Sequence, residues 1–294
     1  MTCGKKTFPA GGKVSKGKRP SRAELGHLYS LFAREEFIEP DPLSFLRKCR
    51  KKEDREVVAL LASALAFGRV ELILKAIEEV LTRLSRLPGK GEAETLQKNS
   101  PESLEKAFSS FKYRFVSGQA LALFLAGAGA LLREYSSLED AFLAGYDADR
   151  HTDLLPALEN FGNGLCRFFP EGKSFLFPVP SGKSACKRPL LMLRWLVRDR
   201  DVDTGTWKKI PKNLLLVPLD THMFRTAKAL GLCSRKTPTL AAAKEITQAF
   251  ARIDPDDPVK FDFPLTRFGI NPSFKGKSFF PAPAGKETTY DPVG

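Results

Sequence analysis

The chain has 294 residues, 43% of them hydrophobic, and a formal net charge of +13. A chain of this length buries a sizeable core, as one large domain or as two lobes. Its longest almost wholly apolar run, residues 120–132, is too short to span a bilayer and contains two glycines, so we expect a buried helix and no membrane span. The five cysteines lie far apart, without CxxC pairs or histidines at ligand spacing, which argues against a disulfide framework and against zinc.

The positive charge is concentrated in two parts of the chain. Residues 1–22 contain seven basic and no acidic residues, and residues 172–236 contain fourteen Lys or Arg and four Asp, a net charge of +10. The rest of the chain is mildly acidic. This distribution is typical of a protein that contacts a polyanion, nucleic acid first, although a solvated basic face is the alternative interpretation.

Helix signals recur along the chain between two irregular ends. Residues 1–20 are rich in Gly, Lys and Ser and lack a hydrophobic period, so we predict a disordered basic tail. The first helix begins at a capping box, Ser21–Glu24. Similar N-cap signals stand at Asp41-Pro42, Ser100-Pro101, Ser136–Glu139 and Thr237-Pro238. The stretches between these signals have the 3.6-residue period of amphipathic helices.

Strand signals are nearly absent. Residues 214–219 are interpreted as an extended entry into the next helix, because they have no partner strand. The polar residues 199–213 are predicted to form a surface loop between two helices. Residues 271–294 contain four prolines and no apolar period, which predicts an irregular C-terminal extension. The prediction for residues 21–270 is therefore an all-α domain.

Two segments resemble known families. The segment PLDTHMFRTAKALGL at residues 218–232 resembles the Asp-Thr-His segment of the endonuclease III superfamily, the helix-hairpin-helix DNA glycosylases. Lys187 precedes Asp220 by 33 residues, which is similar to the arrangement in archaeal 8-oxoguanine glycosylases. Residues 53–270 also resemble a bacterial family of conserved hypothetical proteins without an established activity, through segments that include FKYRF at residues 111–115. The superfamily resemblance implies two helical lobes with a cleft between them.

The resemblance implies catalytic roles for Lys187 and Asp220. A lysine amine that attacks the sugar forms a Schiff base, and a fixed carboxylate stabilises the positive charge that develops on the sugar. The implied function is a DNA N-glycosylase with associated AP-lyase activity. The alternatives are a non-catalytic, structure-specific DNA- or RNA-binding protein on the same scaffold, or an RNA-processing enzyme. Asp220 could instead be a helix N-cap, Lys187 a phosphate contact, and Lys183 the nucleophile.

The same resemblance implies which side chains face DNA. The turn at residues 64–69 corresponds to the loop that fills the gap left by an extruded base, and the stacking candidates are Phe67, Trp195 and Trp207. The aromatic residues of FKYRF alternate with basic ones, which suits nucleic-acid binding and half-buried packing equally. His222 also suits packing near the helix start. The predicted DNA-binding residues are Arg69, Lys183, Ser184, Arg188, Arg194, Thr221, His222 and Arg225.

The chain departs from the superfamily in two ways. The usual hairpin has two glycines that bracket one residue, whereas only Gly182 is present here. The four closely spaced cysteines of endonuclease III are missing, so we expect no iron–sulfur cluster, and no cofactor or metal is predicted. The expected partner is double-stranded DNA, with no membrane and no obligate protein partner. We expect a monomer in the cytoplasm, associated with the nucleoid, because no secretory signal is recognisable.

Overall fold

The computed structural model describes residues 19–182 and 184–270 and is predominantly helical, which confirms the all-α prediction. The predicted extension at 271–294, Lys183 and nearly all of the predicted basic tail lie outside the described residues. The first seven α-helices are α1 Arg22–Phe32, α2 Leu43–Lys48, α3 Lys52–Ala64, α4 Val70–Leu84, α5 Glu92–Lys98, α6 Pro101–Phe108 and α7 Gly118–Glu134.

The second half of the described chain holds six further α-helices. They are α8 Leu138–Leu143, α9 Leu155–Leu165, α10 Lys187–Val197, α11 Thr221–Ala229, α12 Leu240–Ala251 and α13 Asp262–Ile270. Short 3-10 helices span Glu35–Phe37 and Lys212–Leu214. Strands β1 Lys112–Tyr113 and β2 Val116–Ser117 form an antiparallel hairpin that the sequence did not predict. Residues 215–220 have no regular structure, as expected for an extended entry into α11.

Side-chain caps begin several helices where the sequence predicts them. Ser21 and Glu24 form the complete capping box of α1, and Ser100 caps α6. At α2 the proline predicted for the first helical position, Pro42, is itself the N-cap, and the carboxylate of Asp41 before it accepts a hydrogen bond of 2.9 Å from the backbone N–H of Leu43. Each such cap contributes about 1 kcal/mol to stability, because it pairs a backbone donor that would otherwise have no partner.

Two predicted caps are displaced along the chain. The predicted box that ends at Glu139 is wrong, because Ser137 caps α8 and accepts from the backbone of Asp140. The prediction at Thr237 is also wrong, since Thr239 caps α12 two residues later. Both corrections have the same cause: several hydroxyl side chains precede each helix, and packing of the helix selects which of them is the N-cap.

Helix α7 lies at the centre of the helical packing and confirms the predicted buried helix. It packs against α5, α6, α8 and α9. Two glycines on it allow close approach: a Cβ at Gly127 would lie 2.0 Å from the carbonyl oxygen of Leu165, and one at Gly129 would lie 2.3 Å from that of Leu96. The buried side chains from α1 to α13 form one hydrophobic cluster, and the division into two lobes stays a prediction.

The segment 199–213 is not the predicted surface loop. Val202, Trp207 and Ile210 are buried in the core cluster. The backbone N–H of Trp207 donates to the carbonyl oxygen of Leu196, at 2.7 Å, and so binds the segment to the end of α10. Its polar composition misled the prediction, because some of its polar side chains bind buried partners and do not face water.

Those partners are two arginines on and after α10. Arg198 donates to both carboxylate oxygens of Asp257, at 2.9 Å and 3.1 Å from its Nε, and also pairs with Asp203. Arg194 pairs with Asp203 at 3.3 Å and with Asp262. All five side chains are less than a tenth exposed. The segment therefore supplies carboxylate charge to arginines that are removed from water.

Candidate active site and nucleic-acid interface

The two predicted catalytic residues lie at the beginnings of two helices. Lys187 is the first residue of α10 and follows Cys186, whose backbone is left-handed with a φ of 53°. Asp220 is the N-cap of α11, and its Oδ1 accepts a hydrogen bond of 2.7 Å from the backbone N–H of Met223. The capping interpretation of Asp220 is therefore confirmed. It leaves the second carboxylate oxygen available for another partner.

That second oxygen faces Lys187. The Nζ of Lys187 lies 3.5 Å from Oδ2 of Asp220, and the two side chains are 36% and 24% exposed. Both residues line a cavity of about 350 Å³. An amine and a carboxylate thus stand side by side on the wall of an open cavity, where a bound molecule can reach both. The same wall includes Phe67, Gly68, Ser184 and Thr221.

A smaller cavity of about 90 Å³ also borders the pair. Lys187 and Asp220 line it together with Asp41, Arg194 and Asp262. Burial raises the pKa of Asp262 to about 6, the positive charge of Arg194 opposes that rise, and the negative charge of Asp220 adds to it. The Lys187–Asp220 pair therefore borders both an open cavity and the buried charges of the core.

Arg188 does not face the solvent as a predicted DNA contact should. It is 7% exposed, donates to the carbonyl oxygen of Ala64 at 3.0 Å, and also donates to that of Phe175. Its guanidinium lies 3.9 Å from the ring centroid of Phe175 and 5.2 Å from that of Phe67. Burial lowers its pKa to about 10. The prediction of a phosphate contact is wrong, because the guanidinium supports backbone and aromatic rings.

Arg194 is likewise excluded from a direct contact with DNA. Only 4% of its side chain is exposed, and its guanidinium pairs with Asp203 and Asp262. A cation placed at this position of α10, three residues before the helix ends, points into the core. Its sequence context did not distinguish it from a surface arginine, because a basic stretch contains both kinds.

The other predicted DNA-binding residues that the structure describes are exposed. Thr221, His222 and Arg225 lie on the outer side of α11, directly after Asp220. Arg69 stands at the N-cap of α4. Ser184 is exposed, and its hydroxyl accepts from the backbone N–H of Cys186 at 3.1 Å. The remaining member, Lys183, lies outside the described residues.

The two tryptophans are not available for stacking on bases, so that prediction is wrong. Trp195 and Trp207 are each 1% exposed. Trp207 donates from Nε1 to the buried carboxylate of Glu56 at 2.8 Å, so its polar atom is already paired. Phe67, the third predicted stacking residue, is half-buried beside the Lys187–Asp220 cavity.

The structure places further residues near the candidate site that were not among the predicted site residues. Phe115 and Phe175 are 62% and 50% exposed and contact Phe67. For Phe115 the alternation within FKYRF was a signal, since the structure buries Phe111 and Tyr113 and leaves Phe115 outside. No local sequence pattern indicated that Phe175, or Asp41 and Asp262 of the smaller cavity, would lie near the candidate site.

Metal-binding clusters and membrane-spanning helices are absent from residues 19–182 and 184–270. No group of three or more His, Cys, Asp or Glu side chains there is arranged to hold a metal ion. In the same ranges, no helix is both long and apolar enough to cross a bilayer.

Comparison with known protein families gives a match over most of the chain. Residues 41–271, more than three quarters of the chain, match the family described as "Protein of unknown function (DUF2400)". No curated protein and no solved structure matches the chain. The matched residues include both Lys187 and Asp220 and all helices from α2 to α13. The chain therefore belongs to the DUF2400 family of proteins of unknown function.

Proposed function

We propose that this protein is a DNA N-glycosylase with associated AP-lyase activity, in which Lys187 is the nucleophile and Asp220 stabilises the sugar cation. The observation that supports the proposal most is the distance of 3.5 Å between Lys187 Nζ and Asp220 Oδ2 on the wall of a cavity of about 350 Å³. The two residues are 33 positions apart in the chain, so the fold and not their local sequence brings them together.

The chemistry assigned to the pair begins at the C1′ atom of the sugar. The unprotonated Lys187 amine forms a bond to C1′ while the glycosidic bond breaks, and the departing base keeps the electron pair and takes up a proton. The positive charge that develops on the sugar lies beside the Asp220 carboxylate. The C1′–O4′ bond then breaks, O4′ is protonated, and a protonated imine of Lys187 remains.

Strand cleavage follows from that imine. Loss of a proton from C2′ expels the 3′-phosphate, whose oxygen keeps the electrons of the broken C3′–O3′ bond. Water then hydrolyses the imine and restores the amine of Lys187. In this scheme Asp220 keeps its position throughout, because the backbone N–H of Met223 binds its other oxygen.

The surroundings of the pair suit a polyanion. Thr221, His222 and Arg225 are exposed on α11. Arg69, which directly follows Phe67 and Gly68 in the chain, is also exposed. Backbone phosphates bind such side chains without regard to sequence. We propose double-stranded DNA as the partner of a monomeric protein, with a cytoplasmic, nucleoid-associated location.

Borohydride trapping tests the enzymatic proposal directly. Borohydride reduces an imine between protein and sugar to a stable covalent adduct, so duplexes that carry an abasic site or a damaged base should yield a cross-linked band with the wild-type protein. The Lys187→Ala variant should lose that band. The matched control is Lys228→Ala on α11, an exposed lysine that donates to the backbone carbonyl of Arg235 and should leave trapping unchanged.

Amines of the N-terminal segment require a separate control, because an abasic site reacts with many exposed amines. The trap is therefore repeated with a chain that lacks residues 1–18, which keeps the Ser21 cap of α1 intact. An adduct of undiminished yield in the Lys187→Ala variant of this shortened chain would overturn the assignment of the nucleophile.

A second candidate function is structure-specific nucleic-acid binding without chemistry. The observation that favours it is that Asp220 already has a structural role as the cap of α11. On this hypothesis, binding to DNA or RNA weakens with salt, no base is released from any of a broad set of lesions, and Asp220→Asn leaves the affinity unchanged. Release of a base by the wild-type protein would exclude it.

A further inference from the structure

An exposed aromatic cluster lies beside the candidate site. Phe115 and Phe175 are two of the four large hydrophobic side chains that are exposed among the described residues. Their ring centroids are 4.5 Å apart, and the planes meet at 78°. Phe67 completes the cluster, with its centroid 5.3 Å from that of Phe115 and 5.1 Å from that of Phe175. We call Phe67, Phe115 and Phe175 the aromatic patch.

The hairpin holds Phe115 away from the core. Tyr113 pairs with Val116, so Arg114 and Phe115 form a two-residue turn between β1 and β2. Arg114 has a φ of 53°, a conformation in which such turns usually have glycine and which costs a residue with a side chain on the order of 1 kcal/mol. The hydroxyl of Tyr113 donates to the carbonyl oxygen of Phe67 and thereby fixes the turn against the patch.

Two arginines contact the rings of the patch. The guanidinium of Arg114 lies 5.9 Å from the ring centroid of Phe67, and the buried guanidinium of Arg188 lies 3.9 Å from that of Phe175. Lys112 and Arg69 are exposed on the adjoining segments. Among the described residues, Lys112, Arg69 and Arg114 form no ion pair with a carboxylate. Exposed ring faces next to unpaired cations match the two parts of a nucleotide, its base and its phosphate.

We propose that the aromatic patch binds an unpaired nucleobase of single-stranded DNA. The base stacks on the ring of Phe115 and meets Phe175 edge to face, because the two ring planes are 78° apart. The flanking phosphates contact Arg69, Lys112 and Arg114. Stacking of a base on an aromatic side chain contributes about 1–3 kcal/mol and tolerates any base, because every base has a ring face. The cations favour this occupant over an apolar segment of a protein, since burying them against apolar groups would cost free energy.

This inference deepens the proposed function, from which it takes DNA as the polymer. Phe67 belongs both to the patch and to the wall of the Lys187–Asp220 cavity. The two binding places are therefore contiguous, and a strand with an unpaired base at the patch would pass the candidate catalytic pair.

Binding of a twelve-nucleotide oligo(dT) tests the inference without any lesion or abasic site. We expect Phe115→Ala and Phe175→Ala each to weaken binding about tenfold at fixed salt, which corresponds to about 1.4 kcal/mol per lost aromatic contact. The dependence of affinity on salt should keep its slope, because no charge is removed. Phe168→Ala, at an exposed phenylalanine that does not belong to the patch, is the matched control and should bind as the wild type does.

Fluorescence supplies a second measurement that does not depend on loss of function. Both native tryptophans are buried, so the indole introduced by Phe115→Trp is a surface reporter. Oligo(dT) should quench it, whereas the indole in a Phe168→Trp chain should not respond. Wild-type affinity in both alanine variants, or absence of quenching in Phe115→Trp, would overturn the inference.

Three further outcomes distinguish this inference from RNA binding and from the enzymatic proposal. Binding of oligo(U) at least as tight as that of oligo(dT) would overturn the assignment to DNA. Loss of borohydride trapping in Lys187→Ala with oligo(dT) binding unchanged would support the patch as a binding place distinct from the chemistry. If the wild-type protein gives no trapped adduct but Phe115→Ala and Phe175→Ala still weaken oligo(dT) binding, only the enzymatic proposal is rejected.

Discussion

The two ends of α10 have the same kind of charge and opposite environments. At the beginning of the helix, Lys187 is 36% exposed and has one carboxylate partner beside an open cavity. At the other end, Arg194 and Arg198 are almost completely buried, and both pair with Asp203. Each also pairs with an aspartate from a distant segment, Asp262 for Arg194 and Asp257 for Arg198. The first arrangement leaves a cation accessible to a ligand. The second uses cations to join parts of the core.

The comparison changes the meaning of the basic segment at residues 172–236. Among its described residues, three arginines are buried, and they are Arg188, Arg194 and Arg198. The net charge of +10 therefore overstates what the segment offers to a polyanion. The sequence gives the total number of cations in a segment, whereas the fold determines how many of them are exposed at the surface and can contact a polyanion.

The largest effect that we predict belongs to the buried end of α10. Arg198→Met should lower the free energy of unfolding by about 3–5 kcal/mol, because it leaves the carboxylate of Asp257 buried without its arginine and that of Asp203 with Arg194 alone. Urea denaturation measures the change. Arg200→Met, two residues later at an exposed position, should stay within about 0.5 kcal/mol of the wild type. Equal stability of the two variants would show that the buried cluster contributes little.

A pH series examines another buried charge, Glu56 on α3. Burial raises its pKa from the ordinary value near 4.5 to about 7, although Leu138, Lys52 and Trp207 favour the ionised form. An acid with a raised pKa stabilises the folded state at low pH, so its contribution is lost as the pH rises from about 5 to 8. The loss can reach about 3 kcal/mol, at about 1.4 kcal/mol for each pKa unit.

The measurement is the free energy of unfolding of wild type and Glu56→Gln at several pH values in that range. The wild type should lose stability with rising pH relative to the variant. Glu53→Gln, at an exposed glutamate of the same helix, should follow the wild type. Parallel curves for the wild type and Glu56→Gln would mean that Glu56 is already ionised at pH 5 in the folded protein.

At the accessible end of α10, Asp220→Asn should separate chemistry from stability. Asparagine is also a good N-cap, so the free energy of unfolding should change by less than about 1 kcal/mol. Loss of the negative charge beside the sugar should slow base release about 100-fold. Single-turnover release is measured on the damaged-base duplex that the wild type processes fastest. A rate equal to that of the wild type would remove Asp220 from the mechanism.

The smallest predicted effect concerns a single exposed cation. Arg225→Gln should weaken duplex binding only a few-fold and reduce the salt-dependence slope by about one, as expected for one lost phosphate contact. Fluorescence anisotropy over a salt series measures both quantities. The matched control is Arg86→Gln in a different cleft, where Lys75 and Glu78 also lie, and its slope should equal that of the wild type. Equal slopes in all three proteins would place the interface elsewhere.

Much of the fold follows from local signals in the sequence. The all-α class, the buried helix α7 and the caps at Ser21 and Ser100 depend on residue spacing within one or two helical turns. Such patterns are visible in a sequence because their partners are close along the chain. The structure brings Lys187 and Asp220 together, with 3.5 Å between Nζ and Oδ2. Their catalytic roles stay a proposal.

The predictions that failed depend on partners far apart in the chain. Trp207 is buried because Glu56, 151 positions earlier, accepts its N–H. Arg194 is buried because it pairs with Asp262, which lies 68 positions later. Neither distance has a periodic trace in the sequence, so these basic and aromatic residues were interpreted as surface residues. The exposed position of Phe115 depends in the same way on a hairpin of only two residues in each strand.

The two oxygens of the Asp220 carboxylate restrict what evolution can place at this position. One oxygen accepts from the backbone of Met223 and the other faces Lys187. Asparagine and serine can take over the first task without the charge, whereas glutamate carries the charge on a longer side chain that rarely serves as an N-cap. Aspartate alone meets both requirements, so the residue found here in another family member indicates whether that protein has retained the charged pair or only the helix.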